Sequence, residues 1–86
     1  MTDQLRALRD KARTMPATVN IGKNGLTPHV IHQIQDQLKA RKLIKVKILP
    51  SAITSQDRKE FASNLAATVG ARLIDQIGHV VVLQEK

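Results

Sequence analysis

The sequence predicts one α/β (α+β) domain over residues 1–86, with the element order α-β-α-β-α-β-β. Two observations lead to this fold class. The chain length suits a single small domain, and apolar residues recur at helical spacing in three segments and at strand spacing elsewhere. Because helices alternate with the first strands, we expect those strands to be parallel, whereas a closing hairpin makes the four-stranded sheet mixed. We expect the sheet and the three helices to form two layers.

The first helix is predicted over residues 3–14 and ends before Pro16, which disfavours a helical conformation in the preceding residue. Leu5, Leu8 and Ala12 share its buried face, because they are spaced three and four residues apart. A second stripe of this helix is basic and consists of Arg6, Arg9 and Arg13. This stripe is either a contact for an anionic partner or simply the solvated face of the helix.

A short strand is predicted over residues 17–22, and a second helix follows it. Thr27 is a favourable N-cap and Pro28 suits the first helical position, so the helix begins there and is expected to end near residues 39–41. The cations at that end also suit the negative pole of the helix dipole, which explains them without a ligand.

The second strand is predicted over residues 43–49. Its apolar residues alternate with lysines, so that one face is buried and the other is basic. The basic side chains are Lys45 and Lys47. They are candidates for binding an anion, although a solvated sheet face accounts for them as well.

A third helix is predicted over about residues 55–69, after a loop at 51–54. Thr54 or Ser55 would cap its start, and Gly70 occupies the position that favours glycine after a helix.

The remaining residues predict a hairpin of two strands, about 71–77 and 79–84, joined at Gly78. The run from Val80 to Leu83 is wholly apolar, which is typical of a strand covered on both faces. If this last strand were uncovered it would offer an edge for pairing; a monomer is nevertheless the expected state.

Net charge is +7, and the excess lies in the first half of the chain. Residues 1–47 hold ten Lys or Arg and three Asp, whereas residues 48–86 hold four of each sign. A one-sided basic surface favours nucleic acid over an anionic membrane or an acidic protein as the partner. Phe61 is the only aromatic residue, which disfavours modules that stack bases on aromatic side chains. A nucleic-acid ligand would be held by its phosphates and sugars, or by backbone and aliphatic contacts.

The four residues between the first strand and the second helix combine two glycines with a cation. Glycine permits a sharp turn and the close approach of another chain, and a helix N-terminus behind the turn offers free N–H groups. Lys23 adds a full positive charge. This loop, Gly22, Lys23, Asn24 and Gly25, is therefore the main candidate for binding phosphate. It matches neither a P-loop nor a dinucleotide-binding motif.

Two stretches of the sequence strongly resemble the CRM domain (chloroplast RNA splicing and ribosome maturation), whose small free-standing members are the YhbY-like proteins. These are residues 21–27 (Ile-Gly-Lys-Asn-Gly-Leu-Thr) and residues 43–47 (Leu-Ile-Lys-Val-Lys). The similarity continues at residues 70–71 and 77–78 and covers essentially the whole chain. Few basic residues follow Leu83, so contacts made by a longer basic tail are not expected.

The resemblance implies a fold similar to the C-terminal domain of bacterial translation initiation factor 3, and RNA binding centred on the GxxG loop. It also implies a role in large-subunit assembly or in RNA processing. The expected partner is structured ribosomal RNA or a precursor of the large ribosomal subunit, because free-standing members are associated with such precursors. The RNA-binding residues expected from loop and charge together are Gly22, Lys23, Asn24, Gly25, Arg6, Arg9, Arg13, Lys45 and Lys47. A small basic DNA-binding, chromatin-like protein and a ribosome-associated module that contacts mainly protein remain open as alternatives.

Other functions find little support in the sequence. His29, His32 and Asp36 share one helical face at a spacing that a metal could use, but this face is opposite the apolar stripe, so no metal or cofactor is expected. No nucleophile, base or carboxylate pair forms a catalytic set, so neither an enzyme nor a small-molecule substrate is expected. The absence of Cys, of a signal peptide and of a long apolar segment predicts a cytoplasmic protein without membrane contact.

Overall fold

A computed structural model describes residues 2–52 and 58–86, with the side chains of residues 2 and 3 left out of the description. The elements are α1 (Thr2–Arg13), β1 (Val19–Ile21), α2 (Pro28–Arg41), β2 (Leu43–Ile48), a 3-10 turn (Pro50–Ala52), α3 (Arg58–Val69), β3 (Ala71–Ile77) and β4 (Val80–Glu85). The predicted order of helices and strands is confirmed. The expected cap of α3 at Thr54 or Ser55 lies outside the described residues. The segment expected as a loop at 51–54 begins within the 3-10 turn, which the Ala52 amide closes on the Leu49 carbonyl.

The four strands form one mixed sheet in the order β1-β2-β4-β3. β1 and β2 are parallel, as expected from the helix between them, and β4 is antiparallel to both of its neighbours. The last strand therefore lies inside the sheet and is paired along both sides, so the condition under which it would offer an edge is not met. β1 and β3 are the edge strands, because the apolar run of β4 is inserted between β2 and β3.

The larger core lies between one face of the sheet and helices α2 and α3. Ile44 and Val81 of the two central strands are fully buried there, together with Ile34 of α2 and Leu65 of α3. Side chains alternate along a strand, so every second residue of β2 and β4 belongs to this core.

The opposite face of the sheet carries a smaller core under α1. Ala12 packs with Leu43, Ile74 and Val82, and the apolar stripe predicted for the first helix covers them. Val82 is thus buried on one face while Val81 is buried on the other, which confirms that β4 is covered on both faces. Because α1 lies opposite α2 and α3, the helices and the sheet form three layers where two were expected.

Local interactions fix the ends of α2 and α3. α2 ends at Arg41 and is capped by Lys42, whose φ of 70° is in the left-handed region that a side chain disfavours. Its amide donates to the Leu38 carbonyl (2.8 Å), its carbonyl accepts from the Glu85 amide (2.8 Å), and its Nζ lies 2.8 Å from Glu85 Oε2. These contacts hold the unfavourable conformation. Gly70, at φ 72°, ends α3 as the sequence predicts.

Candidate nucleic-acid interface

The GxxG loop forms a tight turn at the carboxyl end of β1. The Gly25 amide donates to the Gly22 carbonyl at 2.9 Å, which leaves Lys23 and Asn24 exposed at the tip. The Thr27 amide then donates to the Gly25 carbonyl at 3.1 Å, so that the turn leads directly into the cap of α2.

The two glycines of this loop have different structural requirements. Gly25 has a φ of 68°, a conformation that only glycine adopts without strain. Gly22 has no positive φ, and a Cβ added there would meet only the Cδ1 atom of Leu49, at 3.9 Å. This is an ordinary contact, so among the described residues nothing in the fold itself requires glycine at position 22.

The start of α2 is fixed behind the loop. The hydroxyl oxygen of Thr27 accepts from the Val30 amide at 3.2 Å. The backbone carbonyl of Thr27 accepts from the Ile31 amide at 2.9 Å. Pro28 occupies the first turn, where a missing N–H costs nothing. The positive pole of α2 therefore lies directly behind the exposed loop.

One row of side chains connects the loop to the open face of the sheet. Asn20 pairs with Lys47, which pairs with Val80, which pairs with Ile77, so these four residues form a line across all four strands. We call it the loop-end row, because Gly22 lies two residues after its β1 member, Asn20. Asn20, Lys47 and Ile77 are exposed, and Val80 is half-buried. The two lysines of β2 share this face, with Lys45 one row nearer to α1.

The three arginines of α1 differ in their surroundings. Arg9 donates from Nε to the Ile74 carbonyl at 3.4 Å and lies 3.8 Å from the Asp75 carboxylate, so part of its charge is used within the fold. Arg13 is three-quarters exposed and forms only a loose pair with Asp10, at 3.8 Å. Arg6 is exposed on the same helix. The structure thus brings Arg9 and Arg13 beside Lys45, and leaves Arg6 a turn away.

Comparison with known proteins shows the family to which the chain belongs. The domain family described as CRS1 / YhbY (CRM) matches residues 1–83, nearly the entire chain. The chain belongs to the CRM domain family.

Individual relatives of this CRM chain point to the same family. It is 40% identical over 78 residues to a protein of Methanocaldococcus jannaschii named a probable RNA-binding protein, covering 91% of this chain but only 58% of that protein's length. It is 34% identical to the probable RNA-binding protein YqeI of Bacillus subtilis, covering 96% of this chain and 84% of YqeI.

A solved structure is similar over the full chain. The solution structure of a Staphylococcus aureus protein, described there as a candidate RNA-binding protein, superposes with a TM-score of 0.80 at 32% identity. The match covers 100% of this chain and 88% of that protein. The two proteins therefore share the same overall fold.

A groove that the sequence does not predict lies beside the basic residues of this CRM domain. The groove has a volume of about 240 Å³ and lies between α1 and the sheet, next to the loop-end row. Its apolar lining consists of Ala12, Ile77, Val80 and Val82. Its charged lining consists of Arg9, Arg13, Lys45 and Asp75. The one signal in the sequence was Ile77, an apolar residue beside the hairpin turn, which is 62% exposed.

The outer face of α2 has a different character. His29, His32 and Asp36 are all exposed on it. In the part of the chain that the structure describes, no three His, Cys, Asp or Glu side chains are arranged to hold a metal ion. Over the same residues, no helix has the length and apolarity needed to cross a bilayer.

Proposed function

We propose that this protein binds RNA by gripping the RNA backbone at the GxxG loop. The observation that carries the proposal is the turn from Gly22 to Gly25, which presents Lys23 and Asn24 in front of the N-terminus of α2. Among the described residues, the backbone amides of Lys23 and Asn24 have no acceptor. Two free N–H groups, a lysine and a helix pole together match the needs of a phosphate.

The space beside Gly22 supports this proposal further. The described fold leaves room for a Cβ at this position, so the fold itself does not account for the glycine. Close approach of a sugar-phosphate backbone accounts for it, because GxxG loops clamp nucleic-acid backbones in this way.

A basic path extends the interface from the loop across the sheet. Lys47 lies in the loop-end row, and Lys45 lies on the same face of β2, farther from the loop. Arg13 of α1 borders the same groove as Lys45. Arg9 contributes less, because it is engaged with Asp75. Arg6 extends the path along α1. Charges in such a line neutralise successive phosphates and position the ligand without reading its sequence.

The names of the relatives favour RNA over DNA. The proteins of Methanocaldococcus jannaschii, Bacillus subtilis and Haemophilus influenzae that match this chain are all named as RNA-binding. We further propose, from the resemblance to free-standing CRM proteins, that the bound RNA is structured ribosomal RNA in a cytoplasmic precursor of the large subunit. The function is binding, and no catalytic step is assigned to it.

A charge reversal at the loop tip tests the proposal. The double variant Lys23→Asp with Asn24→Asp changes the charge by −3 at two exposed residues of the loop tip. We expect its affinity for fluorescein-labelled RNA hairpins, measured by anisotropy, to fall more than tenfold. Thermal unfolding followed by circular dichroism should be unchanged.

The matched control is Arg72→Asp with Asn64→Asp, which makes the same change in charge elsewhere. Both residues are exposed, and Arg72 pairs with Gln84 at the end of the sheet away from the loop. The change in log Kd for this control should be less than a third of the change for the loop variant. Equal losses in the two variants would mean that only net charge matters, and the loop proposal would be wrong.

Two further measurements separate the alternatives. Competition between RNA hairpins and a DNA duplex of the same sequence distinguishes an RNA-binding protein from a chromatin-like one. Co-sedimentation with subunit precursors, before and after nuclease treatment, distinguishes RNA binding from a module that contacts mainly protein.

A further inference from the structure

The groove between α1 and the sheet combines an apolar lining with charges of both signs. Ala12 and Val82 are almost fully buried and form its bottom, whereas Ile77 is 62% exposed at its open side. Its volume of about 240 Å³ is below the roughly 300–1,000 Å³ of pockets for drug-sized ligands. The groove is therefore sized for a small group.

We infer that this groove holds one unpaired base of the bound RNA, with a preference for a base that carries an exocyclic amino group. The inference rests on the proposed function, because the base must belong to the strand whose phosphates lie along Lys45 and Lys47. An aliphatic surface packs against the face of a base, and here it replaces the aromatic platforms that the sequence lacks.

The basic residues beside the groove indicate that the base in it belongs to the RNA strand whose phosphates lie along β2. Arg13 and Lys45 border the groove and also belong to the proposed phosphate path. The loop-end row continues from the β1 side of the sheet to Val80 and Ile77, which line the groove. β1 and β4 are two positions apart in the sheet, a distance of about 10 Å. A stacked RNA chain covers this distance in about three nucleotides.

Asp75 supplies the preference among bases. Its Oδ1 accepts from the Gln76 amide at 2.9 Å, and its Oδ2 lies 3.8 Å from Arg9 Nε, which is beyond hydrogen-bond distance. A carboxylate has about four acceptor positions, so Asp75 retains the capacity to accept from a ligand. A negative side chain beside a phosphate path repels the backbone, but it accepts a hydrogen bond from the amino group of cytosine, adenine or guanine. Uracil presents a carbonyl at that position and is disfavoured.

Three heptamers with the same number of phosphates test the inference: oligocytidine, oligouridine and a chain of abasic ribose units. For the unmodified protein we expect oligocytidine to bind about fivefold more tightly than oligouridine, at the lower end of the discrimination of one base contact. Oligocytidine should exceed the abasic chain by at least the same factor, because the abasic chain lacks the apolar contact of the base as well as its hydrogen bond.

Two variants assign these differences to the groove. Asp75→Asn keeps the shape but adds a donor, so the ratio between oligocytidine and oligouridine should fall to about one. Its absolute affinities are expected to rise, because a negative charge is removed. Ile77→Ser, at an exposed position, should lower the advantage of bases over the abasic chain while leaving binding of the abasic chain unchanged.

The outcomes separate this inference from the proposal on which it rests. Equal binding of all three heptamers by the unmodified protein would overturn the base site, while binding of the abasic chain that depends on Lys23 and Asn24 would leave the loop proposal in place. A cytosine preference that persists in Asp75→Asn would also overturn it. If a labelled peptide of alternating Glu and Leu binds in an Ile77-dependent manner and the bases contribute nothing, the groove is a protein-binding site instead.

Discussion

The two glycines of the loop should respond in opposite ways to the same substitution. Gly25→Ala places a side chain at φ 68°, which costs about 1–2 kcal/mol in the left-handed region. Alanine also lowers the conformational entropy of the unfolded chain, which offsets about 0.4–1 kcal/mol of this cost. The net loss of about 1 kcal/mol should lower the melting temperature by roughly 4–8 °C for a domain of this size.

Gly22→Ala should leave the fold intact or slightly more stable. The new Cβ meets Leu49 Cδ1 at 3.9 Å, an ordinary contact, so only the gain of about 0.4–1 kcal/mol from the unfolded chain remains. The same Cβ occupies the space in which the RNA backbone is proposed to lie. We expect about tenfold weaker RNA binding, since overpacking a close contact costs about 1–3 kcal/mol.

Urea unfolding followed by far-ultraviolet circular dichroism measures the stabilities, because the chain has neither Trp nor Tyr for fluorescence. Anisotropy of a labelled RNA hairpin, recorded at a temperature where every variant is folded, measures binding. If Gly22→Ala binds RNA as tightly as the unmodified protein, the backbone does not approach the loop at this residue. If Gly22→Ala is instead less stable than Gly25→Ala, the account of the turn itself is wrong.

Two more predictions concern charge and the cap of α2. If about five phosphates are neutralised, RNA affinity should fall by roughly a hundredfold or more between about 50 and 200 mM salt, and a flat response would indicate a protein partner. Thr27→Ala should lower the free energy of unfolding by about 1 kcal/mol, because the Val30 amide loses its acceptor, whereas Thr27→Ser should retain most of the stability. Equal urea midpoints for these two variants would contradict the capping role.

Local patterns in the sequence determine the elements well. Thr27 and Pro28 mark the start of α2, and the alternation around Lys45 marks β2, because capping and side-chain periodicity depend on residues close together in the chain. The parallel pairing of β1 with β2 follows from the helix between them. The exposed GxxG loop was also predictable as a turn before α2, because its glycines and the cap of α2 are close together in the chain.

Long-range arrangement was harder to predict. The stripe of Leu5 and Leu8 shows that α1 is buried on one side, but it carries no information about which face of the sheet it covers. The position of β4 between β2 and β3 depends on pairing across most of the chain. The engagement of Arg9 with Asp75, and hence the groove, joins residues from the two ends of the sequence, and no local pattern records such a contact.

The interior position of β4 also governs how the protein can acquire its structure during synthesis. Translation proceeds from the N-terminus, so β2 and β3 emerge before the strand that joins them. Val81 and Leu83 complete one core and Val82 completes the other, so neither face of the sheet can close until this strand has left the ribosome. A nascent chain that ends before Val80 exposes apolar surface on both sides, and chaperone binding is expected to be strongest at that stage.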